Sequence, residues 1–169
     1  MKLLRPTIEY KQQILEYKSE FVESGEDMAG TSYLHKYDVY EEWMKFILDN
    51  ENESTKHTEV VASVLLAISE KDNKLLGMIN IRHTLNEYLY SYGGHIGYSV
   101  RKIERRKGYA KEMLKIALDE CSKLEMKKVL ITCDANNIAS VKTIKSCGGI
   151  LENEVCNDGR LIQRYWIEL

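Results

Sequence analysis

Hydrophobic positions change their spacing several times along this chain, and each change marks an element. After a short apolar start at Leu3-Leu4 and then Pro6-Thr7, residues Tyr10, Ile14, Tyr17 and Phe21 recur at three- and four-residue spacing, which predicts a helix that Gly25 stops. Residues 24–38 mix Gly, Ser, Asp, Thr and Tyr and read as a loop. Tyr40, Trp43, Met44, Ile47 and Leu48 predict a second amphipathic helix, and the polar run from Asp49 to Glu59 separates this helical third from a strand-rich middle.

Val60–Ile68 is β-branched and apolar at both parities, so it reads as a strand covered on both faces. Asp72-Asn73 supplies a turn, and Leu75–Ile81 returns as a hairpin partner. Tyr88, Tyr90 and Tyr92 alternate at strand spacing within a Tyr- and Gly-rich stretch, 84–94, ahead of a third strand at Ile96–Val100. Ala110, Met113, Leu114, Ala117, Cys121 and Leu124 form the apolar stripe of the most regular helix, from about Gly108 to Glu125. A short strand at Val129–Cys133 follows, then a shorter helix from Asn137 to Cys147, ended by Gly148-Gly149. Ile150–Val155 and Leu161–Ile167 are strands about an Asn157-Asp158-Gly159 turn. The order β-α-α-β-β-β-α-β-α-β-β predicts one domain over residues 1–169, of the α/β class, with a mixed sheet and one crossover helix after the middle strand.

Composition alters this picture little. Of the 169 residues, 44% are hydrophobic and 30% charged, which is globular and excludes wholesale disorder. A net charge of −2 argues against a general nucleic-acid binder. No apolar run reaches membrane-spanning length, and Met1 to Pro6 lacks the apolar core of a signal peptide, so the expectation is a cytoplasmic protein with no membrane partner. Cys121, Cys133, Cys147 and Cys156 form no Cys-x-x-Cys pair and no Cys/His cluster; they read as buried free thiols, with no metal site.

Chemistry concentrates in one segment. The strand His95-Ile96-Gly97-Tyr98-Ser99-Val100 is followed by a short basic loop and by Arg105-Arg106-Lys107-Gly108-Tyr109-Ala110, which opens the best helix. Amides at a helix start have no intrahelical partner, the macrodipole adds partial positive charge, and Gly108 lets backbone approach a ligand with no Cβ in the way. Arg101, Lys102, Arg105, Arg106 and Lys107 add cationic charge. The combination suits a pyrophosphate or similar anion, although a basic run before a helix is also an ordinary solvated surface. Neither the Walker phosphate-loop spacing Gly-x-x-x-x-Gly-Lys-Ser/Thr nor the Gly-x-Gly-x-x-Gly dinucleotide fingerprint is present.

With these residues in place, the chain from about Leu3 to Trp166 resembles the GNAT (Gcn5-related) N-acetyltransferases. Arg105 to Ala110 matches that family's acetyl-CoA pyrophosphate loop, and Asn137-Ile138-Ala139-Ser140 with Gly148-Gly149 is similar to its later Asn-x-x-Ser/Ala segment. The resemblance implies a GNAT-like acyltransferase fold and acetyl-CoA as cosubstrate. The amides of Arg106, Lys107, Gly108, Tyr109 and Ala110 would hold the pyrophosphate, with Arg105 at the family's Arg/Gln position. The backbone at Ser99 and Val100 would pair with the pantetheine arm, and Asn137 would either bond it, cap its own helix, or both.

Two roles stay open. The tyrosine that many family members use to protonate the departing thiolate is replaced by Ile144, and no spacing selects among Tyr98, Tyr109 and Tyr165. For the general base, His95 and His83 lie on or beside the central strands and titrate in the right range. The resemblance implies that the helix 1–helix 2 region and the 84–94 loop wall the acceptor cleft. Glu23, Glu26, Asp27, Asp38, Glu41 and Glu42 make the first of these acidic, which would suit a cationic amine, whether small molecule or peptide, although acidic residues at helix ends are also ordinary solvated caps. The competing reading is an acyl-CoA-binding sensor that has lost catalysis. The 157–159 hairpin and the 84–94 segment each offer an edge through which two copies could pair.

Overall fold

The computed structural model describes all 169 residues. Four strands form one antiparallel sheet in sequence order: β1 (Lys2–Leu4), β2 (Ala62–Ile68), β3 (Leu75–Arg82) and β4 (Ile96–Val100). A second antiparallel sheet has the order β5 (Lys128–Asp134), β7 (Arg160–Glu168), β6 (Ile150–Asn157). The helices are α1 (Lys11–Ser24), α2 (Tyr40–Asp49), α3 (Tyr109–Lys123) and α4 (Ile138–Ser146). The element order is the expected one, and so is the α/β class. In place of a single mixed sheet, however, two antiparallel sheets lie side by side with α3 as the connection between β4 and β5.

Both faces of the first sheet are covered, as the two-parity pattern of β2 demands. Val64, Leu66 and Ile68 face α1 and α2 in a core with Tyr17, Phe21, Trp43 and Ile47. Ala67, Ile79, Ile81 and Ile96 face the other way, into a core built with Met113, Leu114, Ala117 and Cys121 of α3 and with Val129, Ile131 and Tyr165 of the second sheet. Thus α1 and α2 pack on one side only, whereas α3 ties both sheets together.

Three local expectations change. The strand-like spacing of Tyr88, Tyr90 and Tyr92 does not align them on one face of a strand: Leu89–Gly93 is a single π-helical turn. Its place is fixed by two arginines, Arg82 donating to the Gly93 and Gly94 carbonyls and the buried Arg164 donating to the Tyr90 carbonyl. Leu48 and Leu124, assigned to apolar stripes, are exposed at the ends of their helices. Of the four free thiols only Cys121 is fully buried, and Cys156 is exposed because β6 is an edge strand.

Candidate active site

The basic loop after β4 is shaped by its own backbone. A 3-10 turn at Lys102–Glu104 is followed by Arg106 at φ +63° and Gly108 at φ +89°, two left-handed residues that turn the chain into α3. The amides from Arg106 to Ala110 donate to no group in the protein; the first amides to find an acceptor are those of Lys111 and Glu112, both on the Gly108 carbonyl. A Cβ on Gly108 would meet no protein atom within 4 Å. Five adjoining donors therefore open onto free space at the positive end of a 15-residue helix.

The side chains contribute less than the charge run promised. Arg105 pairs with Glu26 and donates to the Val100 carbonyl at 3.1 Å, Arg101 pairs with Glu20, and Lys107 pairs with Glu104 at 2.8 Å. Lys102 and Arg106 have no carboxylate partner, so two cations of the five are free for an external anion.

Between β4 and β5 the two sheets part. They are joined where the His95 amide donates to the Leu130 carbonyl at 2.7 Å and the Leu130 amide donates to His95 Nδ1 at 2.9 Å. Beyond that point no main-chain bond links the strands. Arg101 N–H donates to the Leu76 carbonyl of the β3 side. By strand alternation the main-chain groups of Ser99 then also face β3, and those of Tyr98 and Val100 face the opening. The Ser99 hydroxyl is engaged elsewhere, with the Tyr17 hydroxyl at 2.8 Å and the Ala29 carbonyl. The Tyr98 side chain spans the opening to α4, its hydroxyl 3.1 Å from Ser140 Oγ, and burial pushes its pKa up to about 12. Asn137 caps α4, its side-chain oxygen accepting from the Ser140 amide at 3.1 Å.

A cleft of about 880 Å³ lies on the opposite side of β3 and β4 from α3, walled by the loop 25–35, by residues 57–60 and by the segment leading to the π-turn. Gly30 seats that first loop: a Cβ there would lie 2.6 Å from the Gly97 carbonyl oxygen and 2.7 Å from that of Met78. Asn80 and Arg82 of β3 form part of the cleft lining, Asn80 holding Ser32 Oγ at 3.0 Å. Of the six acidic residues expected on this wall, only Glu26 and Asp27 line the cleft; Glu26 is held low in pKa by Arg105, and Glu41 is paired with Lys11.

The histidines take different places. His95 is buried, desolvation lowers its pKa to about 4, and its Nδ1 lone pair is committed to Leu130, which leaves Nε2 carrying the ring proton. His83 bonds Ser63 at 2.9 Å beside the cleft, and burial lowers its pKa as well. Ile144 is fully buried against Gly149 and presents no group to the opening. Burial raises the Cys133 thiol to about 11, which keeps it a thiol and a poor nucleophile. Arg82 and Asn80 escaped the sequence reading, although a charged residue ending an otherwise apolar strand was a signal. No cluster of three or more metal-ligating side chains is present, and no helix is long and apolar enough to cross a membrane.

Residues 4–150 match the family model of the acetyltransferase (GNAT) domain. Among solved structures, the chain is similar to the ribosomal-protein-S5-alanine acetyltransferase of Vibrio fischeri, with TM-score 0.74, 14% identity, and 98% and 91% of the two chains covered. It is also similar to a variant of the spermidine N-acetyltransferase of Vibrio cholerae, with TM-score 0.68, 15% identity, and coverage of 99% and 95%. A GNAT-family acetyltransferase of Bacillus anthracis aligns with TM-score 0.65 at 18% identity, over 98% and 93%. No curated protein sequence matches the chain.

Proposed function

Because the chain belongs to the GNAT acetyltransferase family, we propose that it moves the acetyl group of acetyl-CoA onto a primary amine by direct attack within a ternary complex. The observation that carries this reading is the row of five unpartnered amides from Arg106 to Ala110 around an open Gly108, donors of the kind that suit a pyrophosphate. Lys102 and Arg106 add charge beside it, while Arg105 holds the loop against Glu26 and Val100. The Val100 amide, together with the main chain of Tyr98, offers hydrogen bonds to an extended pantetheine arm, while the Ser99 hydroxyl ties the strand to Tyr17 and Ala29.

Acetyl-CoA supplies an activated thioester with a stable leaving group. The amine nitrogen bonds the carbonyl carbon as the C–S bond breaks, and the amine's proton passes to water in the cleft. Tyr98 reaches from β4 to Ser140 of α4; protonated at neutral pH, it donates toward the departing sulfur in the role that Ile144 cannot fill, and it recovers its proton from solvent. We assign His95 to joining the sheets, since its free nitrogen is a donor and its other nitrogen is already bonded.

Calorimetric titration with acetyl-CoA tests the reading directly, with dephospho-CoA and inorganic phosphate as controls, on wild type and Gly108→Asp. The substitution places a negative charge among the five unpartnered amides; its Cβ meets no protein atom within 4 Å, but φ +89° strains any side chain there, so a thermal melt must first show that the variant is folded. Binding by the wild type and none by a folded Gly108→Asp is the expected outcome. A folded wild type that ignores acetyl-CoA would sink the proposal.

A further inference from the structure

Arginines that are not exposed in this protein have carboxylate partners, with one exception. Arg101 is paired with Glu20 and Arg164 with Glu152, whereas Arg82 has no carboxylate within ion-pair distance. Its Nη1 donates to the Gly93 and Gly94 carbonyls at 3.2 and 3.0 Å, and neither Nη2 nor Nε donates to any protein group. No polar side-chain atom in the protein is both buried and unpartnered. The remaining N–H groups of Arg82 are therefore open, and they open onto the cleft that Arg82 lines. A desolvated guanidinium without a counter-charge is costly to keep, and desolvation lowers its pKa here. Two main-chain carbonyls need only one edge of the fork; the other edge has the planar shape that binds a carboxylate through paired bonds.

The rest of the cleft sharpens this. Asp27 lines it without an ion-pair partner, and Glu59 lines it with Asn86 as its donor, so the cleft presents a free cation together with carboxylates. A polyamine would bring positive charge against Arg82. A molecule bearing both an ammonium and a carboxylate meets complementary charge at both ends.

We propose, resting on the acetyl-transfer reading above, that the acceptor is a small amino acid, whose carboxylate is bound by Arg82 while its amine faces the thioester. Arg82 is then the residue that determines acceptor specificity, and its grip on Gly93 and Gly94 holds its guanidinium in position.

The test is a thiol-release assay with acetyl-CoA and four matched sets of acceptor: free α-amino acids, their carboxamides, the corresponding decarboxylated amines, and spermidine. Wild type, Arg82→Gln and Arg82→Lys are compared, each with a thermal melt and an acetyl-CoA titration. Wild type should favour free acids over carboxamides by about 10- to 100-fold in kcat/KM, expressed in KM, as expected for a charge-assisted hydrogen bond. That preference should collapse in Arg82→Gln and survive in part in Arg82→Lys, with acetyl-CoA affinity unchanged in both. If Arg82→Gln does not fold, the wild-type acceptor ratios and Arg82→Lys decide. Equal or better turnover of carboxamides or spermidine by the wild type overturns the inference, as does turnover of none of the acceptors, or a preference for acids that persists in Arg82→Gln. These outcomes leave acetyl-CoA binding intact, so they are distinct from failure of the acetyl-transfer reading, in which that binding is itself absent.

Discussion

Tyr98 and His95 stand three residues apart on the same short stretch of chain, and burial gives them opposite uses. For Tyr98, desolvation keeps the phenol protonated, so the hydroxyl that rests on Ser140 stays a donor throughout the physiological range. Tyr98→Phe removes only that oxygen. Steady-state kinetics should show kcat falling about a hundredfold, the usual scale for a positioned proton donor, while KM for acetyl-CoA stays the same; an unchanged kcat would remove Tyr98 from the reaction. For His95, desolvation keeps the ring neutral. Its pKa of about 4 lies below the 6.5 of the unfolded chain, so its stabilising contribution is complete above pH 6.5 and is lost as pH falls toward 4. His83 shifts in the same direction. Melting temperatures measured across this window should fall with acid in the wild type and fall less in His95→Gln, which keeps an acceptor for Leu130. His95→Ala should in addition cost about 1–3 kcal/mol at neutral pH, because a buried amide loses its partner.

At the scale of elements, legibility followed how local the determining forces are. The helix α3 was plain because its apolar stripe and the glycine before it are written within eighteen residues, and the left-handed turn at Gly108 that opens it is part of that same local signal. The Asn137 cap was equally local and is present. What the periodicity misjudged is set from a distance. Tyr88, Tyr90 and Tyr92 carry a strand-like alternation, yet Arg82 and Arg164, from two different sheets, draw the carbonyls of residues 90, 93 and 94 into a π-turn. Charge was misjudged in the same way. Glu26 and Arg105 are both surface-like in sequence and become each other's partners only when the loop after α1 meets the loop after β4. The opening between β4 and β5 was invisible, since a gap between two strands leaves no mark on either one. It depends on a single histidine whose ring nitrogen meets an amide thirty-five residues away.

For the molecule as a whole, the important fact is that the two sheets are joined by main-chain bonding only at His95 and Leu130, while α3 and its core hold them from one side. A ligand lying along the opening adds hydrogen bonds to both the loop and β4 that the unfolded chain cannot make. Acetyl-CoA at about a hundred times its Kd should then stabilise the fold by about 2.7 kcal/mol, or roughly 5–10 °C in Tm for a chain of this size. Hydrogen exchange should slow together at Tyr98, Val100 and the amides from Arg106 to Ala110. Slowing at the loop alone, with Tyr98 and Val100 unaffected, would remove the main chain of β4 from the binding surface.

The separation of the two cores reaches beyond this one molecule. Residues beneath the cleft pack with α1 and α2 on one face of β2 and β3, and residues beneath the basic loop pack with α3 on the other. The backbone of the sheet lies between them as a partition. Under the proposed function, substitutions can accumulate over generations on the α1–α2 face and alter which amines are admitted without disturbing the packing beneath the basic loop. Inheritance can therefore diversify the diet of such a chain while its source of acetyl groups stays the same.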